Sequence, residues 1–164
     1  HNLTEEISLN KKFDLAICLE VVEHLEDDFA ETIVNTITNH SDFVLFSAAI
    51  PYQTGDHHFN EQWPNYWQKL FEKKGFLPYD ILRNHFWNNE NIDWWYRQNI
   101  IIYSRRNDIK NLGEPTKELL SLVHPELLKM KENILLSIDI YIDQLRKPNF
   151  ITSCKMLIRS ILKR

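Results

Sequence analysis

Two short, uninterrupted hydrophobic runs stand out in the first third of the chain. Residues 15–19 read Leu-Ala-Ile-Cys-Leu, and residues 43–46 read Phe-Val-Leu-Phe. Continuous apolar runs of about four to eight residues are typical of strands buried on both faces, as in a parallel sheet covered by helices. Between them, apolar residues recur every four positions from Phe29 to Ile37, which predicts an amphipathic helix over residues 26–40. The pattern therefore predicts strand, helix and strand.

The alternation continues after a long polar loop. Residues 51–63 form this loop, and a helix is predicted between Pro64 and Gly75, since proline favours the first turn of a helix and glycine the position after its end. Two more strands are predicted near residues 78–86 and 97–104, separated by a polar and aromatic connection. Strands that alternate with helices in this way indicate an α/β fold.

The pattern changes after residue 105 and becomes helical. We expect one domain over residues 1–105, a linker over 106–115 and a helical extension over 116–164. The extension is predicted to contain a short helix over 116–123 and a long helix over 126–146, whose apolar positions repeat at helical period. Its last segment mixes apolar and basic residues and reads as a basic amphipathic helix.

The net charge and the cysteine content of the chain limit the classes of protein to which it can belong. The net charge of −4 argues against a general nucleic-acid-binding protein, which would present a basic face. The two cysteines, Cys18 and Cys154, have no disulfide or metal-ligand spacing, so a reducing cytoplasm is the expected location. Cys18 lies inside the first apolar run and reads as a small buried hydrophobe.

Candidate chemistry follows directly after the first apolar run. Glu20, Glu23 and His24 come where the strand ends, and the carboxyl ends of strands border the crevice in which α/β proteins bind ligands. His57 and His58 lie in the long loop, which we expect to rise over the same edge of the sheet. Carboxylates and imidazoles placed together are suited to acid–base or metal chemistry.

These motifs, in this order, carry a family resemblance. The pattern F-D-L-x-x-x-x-E-V-x-E-H-L over residues 13–25 resembles the fourth-strand motif of class I S-adenosylmethionine-dependent methyltransferases. Residues 42–51 resemble the fifth strand of that fold, and residues 57–64 resemble its histidine-containing loop. The match covers about residues 1–104 and is closest to bacterial methyltransferases that modify glycans. It implies the later strands of a Rossmann-like methyltransferase sheet, the last inserted antiparallel beside the fifth, with an appended α-helical C-terminus.

One feature of the family is missing. The family's glycine-rich turn, which cradles the methionine part of the cofactor, has no counterpart, because the glycines present are Gly55, Gly75 and Gly113 and none follows a plausible first strand. We therefore expect a fragment that lacks the first half of the nucleotide-binding sheet and is inactive by itself. The resemblance implies contacts to S-adenosylmethionine from Asn2, Leu3, Leu19, Glu20 and Val21. Asn2 would accept a hydrogen bond from the adenine amino group, and an ordinary turn asparagine is the alternative.

The catalytic residues expected from this resemblance are His58, His57 and Glu20. A sugar hydroxyl is a weak acid, so its methylation needs a general base or a metal ion. Histidine suits the base, since its ordinary pKa of about 6.5 leaves it neutral at working pH. We favour His58 over His57 because it lies at the family-like distance before the helix that starts near Pro64. Solvated loop histidines are the alternative.

A metal site is a sharper hypothesis for the same region. If a helical turn follows the first strand, Glu20, Glu23 and His24 share one face, and His58 would complete a set of two carboxylates and two imidazoles. Some methyltransferases with a similar pattern bind a divalent cation there, so Mg²⁺ or Mn²⁺ is the possible second cofactor. Alternatively, the first glutamate orients substrate or cofactor, and the Glu–His pair holds the turn.

Aromatic residues near the proposed pocket are candidates for substrate contact. We assign this role to Trp63, Trp94 and Trp95, because aromatic faces stack on sugar C–H surfaces. Tyr66 and Trp67 are expected to be mostly core. The basic amphipathic tail would suit peripheral contact with a membrane, and a helix packed on the domain or on a partner is the alternative.

The function that these expectations favour is S-adenosylmethionine-dependent O-methylation of a sugar hydroxyl or another small polar acceptor, by the intact parent protein. Two alternatives stay open. One is N-methylation of a small metabolite, which needs no metal. The other is a degenerate methyltransferase fold that serves as an interaction module. An upstream glycine-rich turn would separate the two enzymes from the interaction module.

Overall fold

A computed structural model of the chain describes residues 2–106, 112–146 and 150–162. The strands are β1 (Ala16–Leu19), β2 (Phe43–Ser47), β3 (Leu77–Tyr79) and β4 (Ile101–Ser104). The α-helices are α1 (Ala30–His40), α2 (Pro64–Lys73), α3 (Ile81–Phe86), α4 (Trp94–Asn99), α5 (Pro125–Arg146) and α6 (Phe150–Ile161). Two single-turn 3-10 helices, Val22–His24 and Asp27–Phe29, lead from β1 into α1. The expected α/β class is confirmed.

The four strands form one mixed sheet in the order β1-β2-β4-β3. β1 and β2 are parallel, with Cys18 opposite Phe46. β4 runs antiparallel to both of its neighbours, β2 and β3. The last strand therefore inserts antiparallel beside the second, as expected. Because β1 and β2 run in the same direction, the segments that follow them leave the sheet at the same edge.

One face of the sheet carries the main hydrophobic core. Phe46 of β2 and Tyr103 of β4 meet Trp67 and Phe71 of α2, and all four side chains are buried. The rings of Phe71 and Tyr103 are stacked, with centroids 3.9 Å apart, and Phe46 meets both in edge-to-face geometry. Helix α1 adds a stripe of buried residues to the same core: Ala30, Ile33, Val34 and Ile37.

β1 departs from the expected burial. The side chain of Ile17 is 62% exposed and that of Leu15 is 41% exposed, whereas Cys18 is buried. β1 is the outer strand of the sheet, and in the described residues little packs on the face that Ile17 occupies. The interpretation of Cys18 as a buried hydrophobe is confirmed, but the expectation of a strand buried on both faces is wrong.

Two of the predicted strands are shorter than expected. The strand expected over residues 78–86 ends at Tyr79, because the buried Arg83 guanidinium turns back onto the Asp80 carboxylate and α3 begins there. The strand expected from Arg97 begins only at Ile101, because residues 94–99 form α4.

The short helix predicted over residues 116–123 does not form. Gln68 of α2 holds this segment extended: its amide donates to the Lys117 carbonyl and accepts from the Leu119 N–H, both at 2.9 Å. Leu119 is buried in the main core. A compact unit therefore runs through His124, and residues 125–164 form a second unit that contains the predicted long helix. Residues 107–111 of the predicted linker lie outside the described residues.

Helices in the second unit bury little of their surface. In α5, Leu127 is buried, and most other apolar side chains are exposed. Across the described parts of the chain, we find no helix of the length and apolar character that crossing a bilayer requires.

The aromatic stack makes a quantitative prediction about stability. Replacing Phe71 with Ala removes a fully buried ring that contacts both Phe46 and Tyr103, so the free energy of unfolding should fall by about 3–5 kcal/mol. Phe59→Ala is the matched control, because that ring is 63% exposed, and it should cost little. Urea unfolding followed by near-ultraviolet circular dichroism measures both. Equal losses in the two variants would contradict this account of the core.

Candidate active site

The candidate site begins where β1 ends beside β2. The N–H of Glu20 donates to both the carbonyl and the hydroxyl oxygen of Ser47, each at 3.1 Å. Glu20 has a backbone φ of +51°, in the left-handed region that residues other than glycine seldom occupy. This conformation turns the chain sharply out of the sheet, and such strained positions concentrate at functional sites.

Side-chain amides hold the carboxylate of Glu20. Its Oε2 accepts from Nε2 of Gln53, and its Oε1 accepts from Nδ2 of Asn99, both at 3.1 Å. The two amides are themselves joined, since Asn99 donates to Oε1 of Gln53 at 2.9 Å. Gln98, which is fully buried, donates to the same oxygen and accepts from the His124 backbone N–H. The loop after β2 and helix α4 thus fix one carboxylate at the sheet edge.

Glu23 is the most unusual residue of the site. Its side chain is fully buried, and neither carboxylate oxygen has a hydrogen-bond partner in the described residues. Its own backbone carbonyl accepts from the N–H groups of Phe59, at 2.7 Å, and Asn60, at 3.1 Å, and so docks the long loop onto the turn. Burial, and then the charge of Glu20, raise the pKa of Glu23 to about 8. A proton is therefore held here at neutral pH.

The neighbouring Cys18 shows the effect of the same environment. Burial first, and then the charge of Glu23, raise the pKa of the Cys18 thiol to about 12. A thiol with so high a pKa is a poor nucleophile, because the thiolate is the reactive form. Cys18 therefore has a packing role.

The imidazoles of His24 and His58 face each other, with ring centroids 4.9 Å apart. Nδ1 of His24 lies 3.3 Å from the carbonyl oxygen of His57, and Nδ1 of His58 lies 2.9 Å from the carboxylate of Glu61. Each partner is an acceptor, so Nδ1 of each ring donates to it, and Nε2 is the nitrogen left for proton transfer or metal binding. Metal-binding and general-base histidines are oriented by hydrogen bonds of this kind.

Three of the four expected metal ligands come together. Glu23, His24 and His58 each offer a ligand atom within 4.8 Å of the others. Glu20 does not belong to this group, because its backbone is left-handed and lies outside the 3-10 turn Val22–His24, and its carboxylate is bound by Gln53 and Asn99. The expectation that one helical turn carries Glu20 together with Glu23 and His24 is not met, since the turn begins after Glu20.

Gly55 accounts for the position of His58. A Cβ at residue 55 would overlap the imidazole of His58, with Nε2 the nearest atom, so the ring packs directly on the glycine Cα. Thr54 and His57 on either side have positive φ values, which marks a tightly wound loop. The imidazole of His57 is exposed and stacks on Phe59, so its contribution to the site is the backbone carbonyl that receives His24.

The residues expected to contact the cofactor lie in different surroundings. Asn2 is exposed, and its Oδ1 accepts from the Thr4 N–H at 3.2 Å, which forms a local turn. Leu3 and Val21 pack partly against the main core, and Leu19 is half-buried at the end of β1. Of these five residues, Leu19, Glu20 and Val21 are adjacent to the carboxylate–imidazole cluster.

The expected aromatic contacts are partly accessible. Trp63, Trp94 and Trp95 are all half-buried, and the last two meet edge to face, with centroids 5.6 Å apart. Trp95 lies four residues before Asn99 in α4, so the two side chains share one face of the helix. Asn99 is the residue whose amide binds Glu20. Trp67 is buried in the core, as expected, and Tyr66 packs partly against it.

Sequence reasoning missed the three amide residues Gln53, Gln98 and Asn99. For Gln98 and Asn99 the sequence does contain a signal, since these two adjacent polar residues come immediately before the apolar run of β4. Such a pair would by default be interpreted as exposed to solvent. No family model, curated protein or solved structure matches this chain.

The buried carboxyl of Glu23 predicts a pH-dependent stability. Unfolded protein releases this proton near the ordinary glutamate pKa of 4.5, whereas the folded protein holds it until about pH 8. Between these values the folded state binds more protons, so raising the pH lowers the free energy of unfolding. Between the two pKa values, the free energy of unfolding falls by about 1.4 kcal/mol for each pH unit, and the total loss is a few kcal/mol.

In chelator-treated protein, Glu23→Gln should remove this decline and should be more stable than the wild type at pH 8. Glu90→Gln, an exposed glutamate, is the control and should leave the pH dependence unchanged. Urea unfolding at several pH values from about 5 to about 8.5 provides the measurement, because this range spans most of the interval between the two pKa values. A wild-type stability that rises across this interval would refute the assignment.

Proposed function

We propose that this chain is the later part of an S-adenosylmethionine-dependent methyltransferase domain, which methylates an oxygen of a small polar acceptor such as a sugar hydroxyl. The observation that carries the proposal is the Glu23–His24–His58 cluster beside Glu20, at the edge where β1 and β2 both end. This is the edge at which open α/β sheets bind their ligands.

The sheet gives independent support. The family resemblance in the sequence implied two parallel strands and a last strand inserted antiparallel beside the second of them. The order β1-β2-β4-β3, with β4 antiparallel to both neighbours, has this arrangement. In this proposal the sheet is the later half of a Rossmann-like methyltransferase sheet, and the methionine part of the cofactor is held by residues outside this chain.

His58 is the proposed general base. S-adenosylmethionine, when bound, would supply the methyl group as a sulfonium, and Nε2 of His58 would take the proton of the acceptor hydroxyl. The Glu61 carboxylate, 2.9 Å from Nδ1, holds the ring in the required tautomer and stabilises the imidazolium that forms. In this proposal Glu20, whose carboxylate is bound by Gln53 and Asn99, orients the acceptor.

A divalent cation is the second candidate role for the same cluster, and one observation favours it. The Glu23 carboxylate is buried without a hydrogen-bond partner in the described residues, and a buried carboxylate is unfavourable unless it is paired or coordinates a metal ion. Glu23, His24 and His58 would hold the cation. When bound, it would supply Lewis-acid chemistry that lowers the pKa of the acceptor hydroxyl. Two imidazoles favour Mn²⁺ or Zn²⁺ over Mg²⁺, which prefers oxygen ligands.

The aromatic surface of α4 suits a sugar-like acceptor. Trp95 shares a helix face with Asn99, whose amide binds Glu20, so a ring that stacks on Trp95 would lie beside the proposed orienting carboxylate. Aromatic rings stack on the C–H faces of sugars and leave the hydroxyls free for polar partners. Trp94, also half-buried, meets Trp95 edge to face.

The base assignment predicts a difference between the two loop histidines. In the protein that joins this chain to a glycine-rich first half, His58→Ala should lower methyl transfer by roughly a hundredfold or more, the usual cost of a lost acid–base group. His57→Ala should be milder, because the His57 side chain is exposed and only its backbone carbonyl serves the site. Transfer of a radiolabelled methyl group to glycans gives the rates. His85→Ala, an exposed histidine in α3, is the control. Near-normal turnover in His58→Ala would exclude this residue as base or ligand.

The cation role predicts binding that depends on Gly55. Isothermal titration of Mn²⁺ or Zn²⁺ into the chain should show one site, and Glu23→Gln or His58→Ala should abolish it. Gly55→Ala should weaken binding at least tenfold, because the added methyl displaces the His58 ring, and misplaced ligands commonly cost 10–100-fold in affinity. Asp56→Ala, in the same loop, should leave affinity unchanged. If Gly55→Ala binds as tightly as the wild type, or no ion binds at all, the cluster acts through His58 as a base alone.

A further inference from the structure

The last helix, α6, exposes an apolar face that nothing in the described residues covers. The side chains of Leu157, Ile158, Ile161 and Leu162 are 54–80% exposed. At 3.6 residues per turn, Cys154, Leu157, Ile158 and Ile161 fall on one side of the helix, whereas Arg159 and Thr152 fall on the other. A helix with this division has a stripe that is unfavourable in water.

Charge distinguishes α6 from the rest of the chain. The last eighteen residues carry five of the chain's nineteen Lys and Arg residues and none of its twenty-three acids. The chain as a whole has a net charge of −4, so the basic tail contrasts with a strongly acidic remainder. Helix α5 also exposes apolar residues, but it mixes acids such as Asp139 and Asp143 with its bases. In contrast to α5, the described part of α6 combines an exposed apolar stripe with basic residues and no acids.

We propose that α6 docks on the surface of an anionic membrane, with its apolar stripe among the acyl chains and its basic residues at the headgroups. Twelve residues give a helix about 18 Å long, too short for the roughly 30 Å hydrocarbon core, so the helix lies in the plane of the surface. Lys155 and Arg159 are one turn apart and exposed, so both ammonium and guanidinium groups can reach lipid phosphates. A single helix of this size gives reversible binding.

Vesicle co-sedimentation of the full chain tests the proposal. The chain should bind vesicles of phosphatidylcholine that contain about one-third phosphatidylglycerol, should bind pure phosphatidylcholine far less, and should be released by salt. Lys155→Gln combined with Arg159→Gln should weaken binding by roughly tenfold or more, since each cation near such a surface contributes about a factor of five. Lys69→Gln combined with Lys129→Gln makes the same charge change on α2 and α5 and should have little effect.

The apolar stripe is tested separately. Leu157→Ser combined with Ile161→Ser should abolish vesicle binding. The milder Leu157→Ala should reduce vesicle binding and preserve the helix, and far-ultraviolet circular dichroism checks the helix content. Equal binding to neutral and anionic vesicles, or no binding to either, would overturn the proposal. Concentration-dependent self-association that the serine variant abolishes, in the absence of vesicle binding, would assign the stripe to a second copy of the chain.

Discussion

The candidate site depends on one backbone interaction, the pair of hydrogen bonds from the Phe59 and Asn60 N–H groups to the carbonyl of Glu23. These bonds fasten the loop between β2 and α2 onto the turn after β1. The loop then brings His58 opposite His24 and presents the His57 carbonyl to the His24 ring. Without this docking, nothing in the backbone of the turn would hold the His58 imidazole opposite that of His24.

This arrangement has a stability cost that packing alone does not explain. A fully buried carboxyl without a hydrogen-bond partner is unfavourable, and its raised pKa reflects that penalty. An apolar residue of similar volume would remove the penalty. Left-handed conformations at Glu20, Thr54 and His57 add backbone strain around the same point. Strain and an unsatisfied carboxyl in one place are typical of residues that serve chemistry rather than stability.

The sequence pattern correctly predicted those strands and helices that depend on the order of apolar residues and on helix-end residues. The apolar runs of β1 and β2, the Pro64-to-Gly75 helix and the long α5 are all present, because burial periodicity and helix-end residues determine them. The failures have long-range causes. Gln68 of α2 holds Leu119 extended from 51 residues away, and the Arg83 guanidinium, which pairs with Asp80 where β3 ends, also donates to the Leu120 carbonyl 37 residues away. A sequence pattern does not contain these contacts.

The candidate site likewise contains some residues that a local sequence pattern predicts and others that only long-range contacts bring together. Glu23 and His24 are adjacent in the chain and follow a recognisable strand, and the third member, His58, lies in a loop that the resemblance singled out. The partners of Glu20 were not predictable in this way, because Asn99 lies 79 residues from it and meets it only when β4 inserts beside β2. Placing the last strand next to the second brings the amides of α4 to the end of β1. The topology of the sheet, rather than any local motif, therefore decides which carboxylate is held and which is left without a partner.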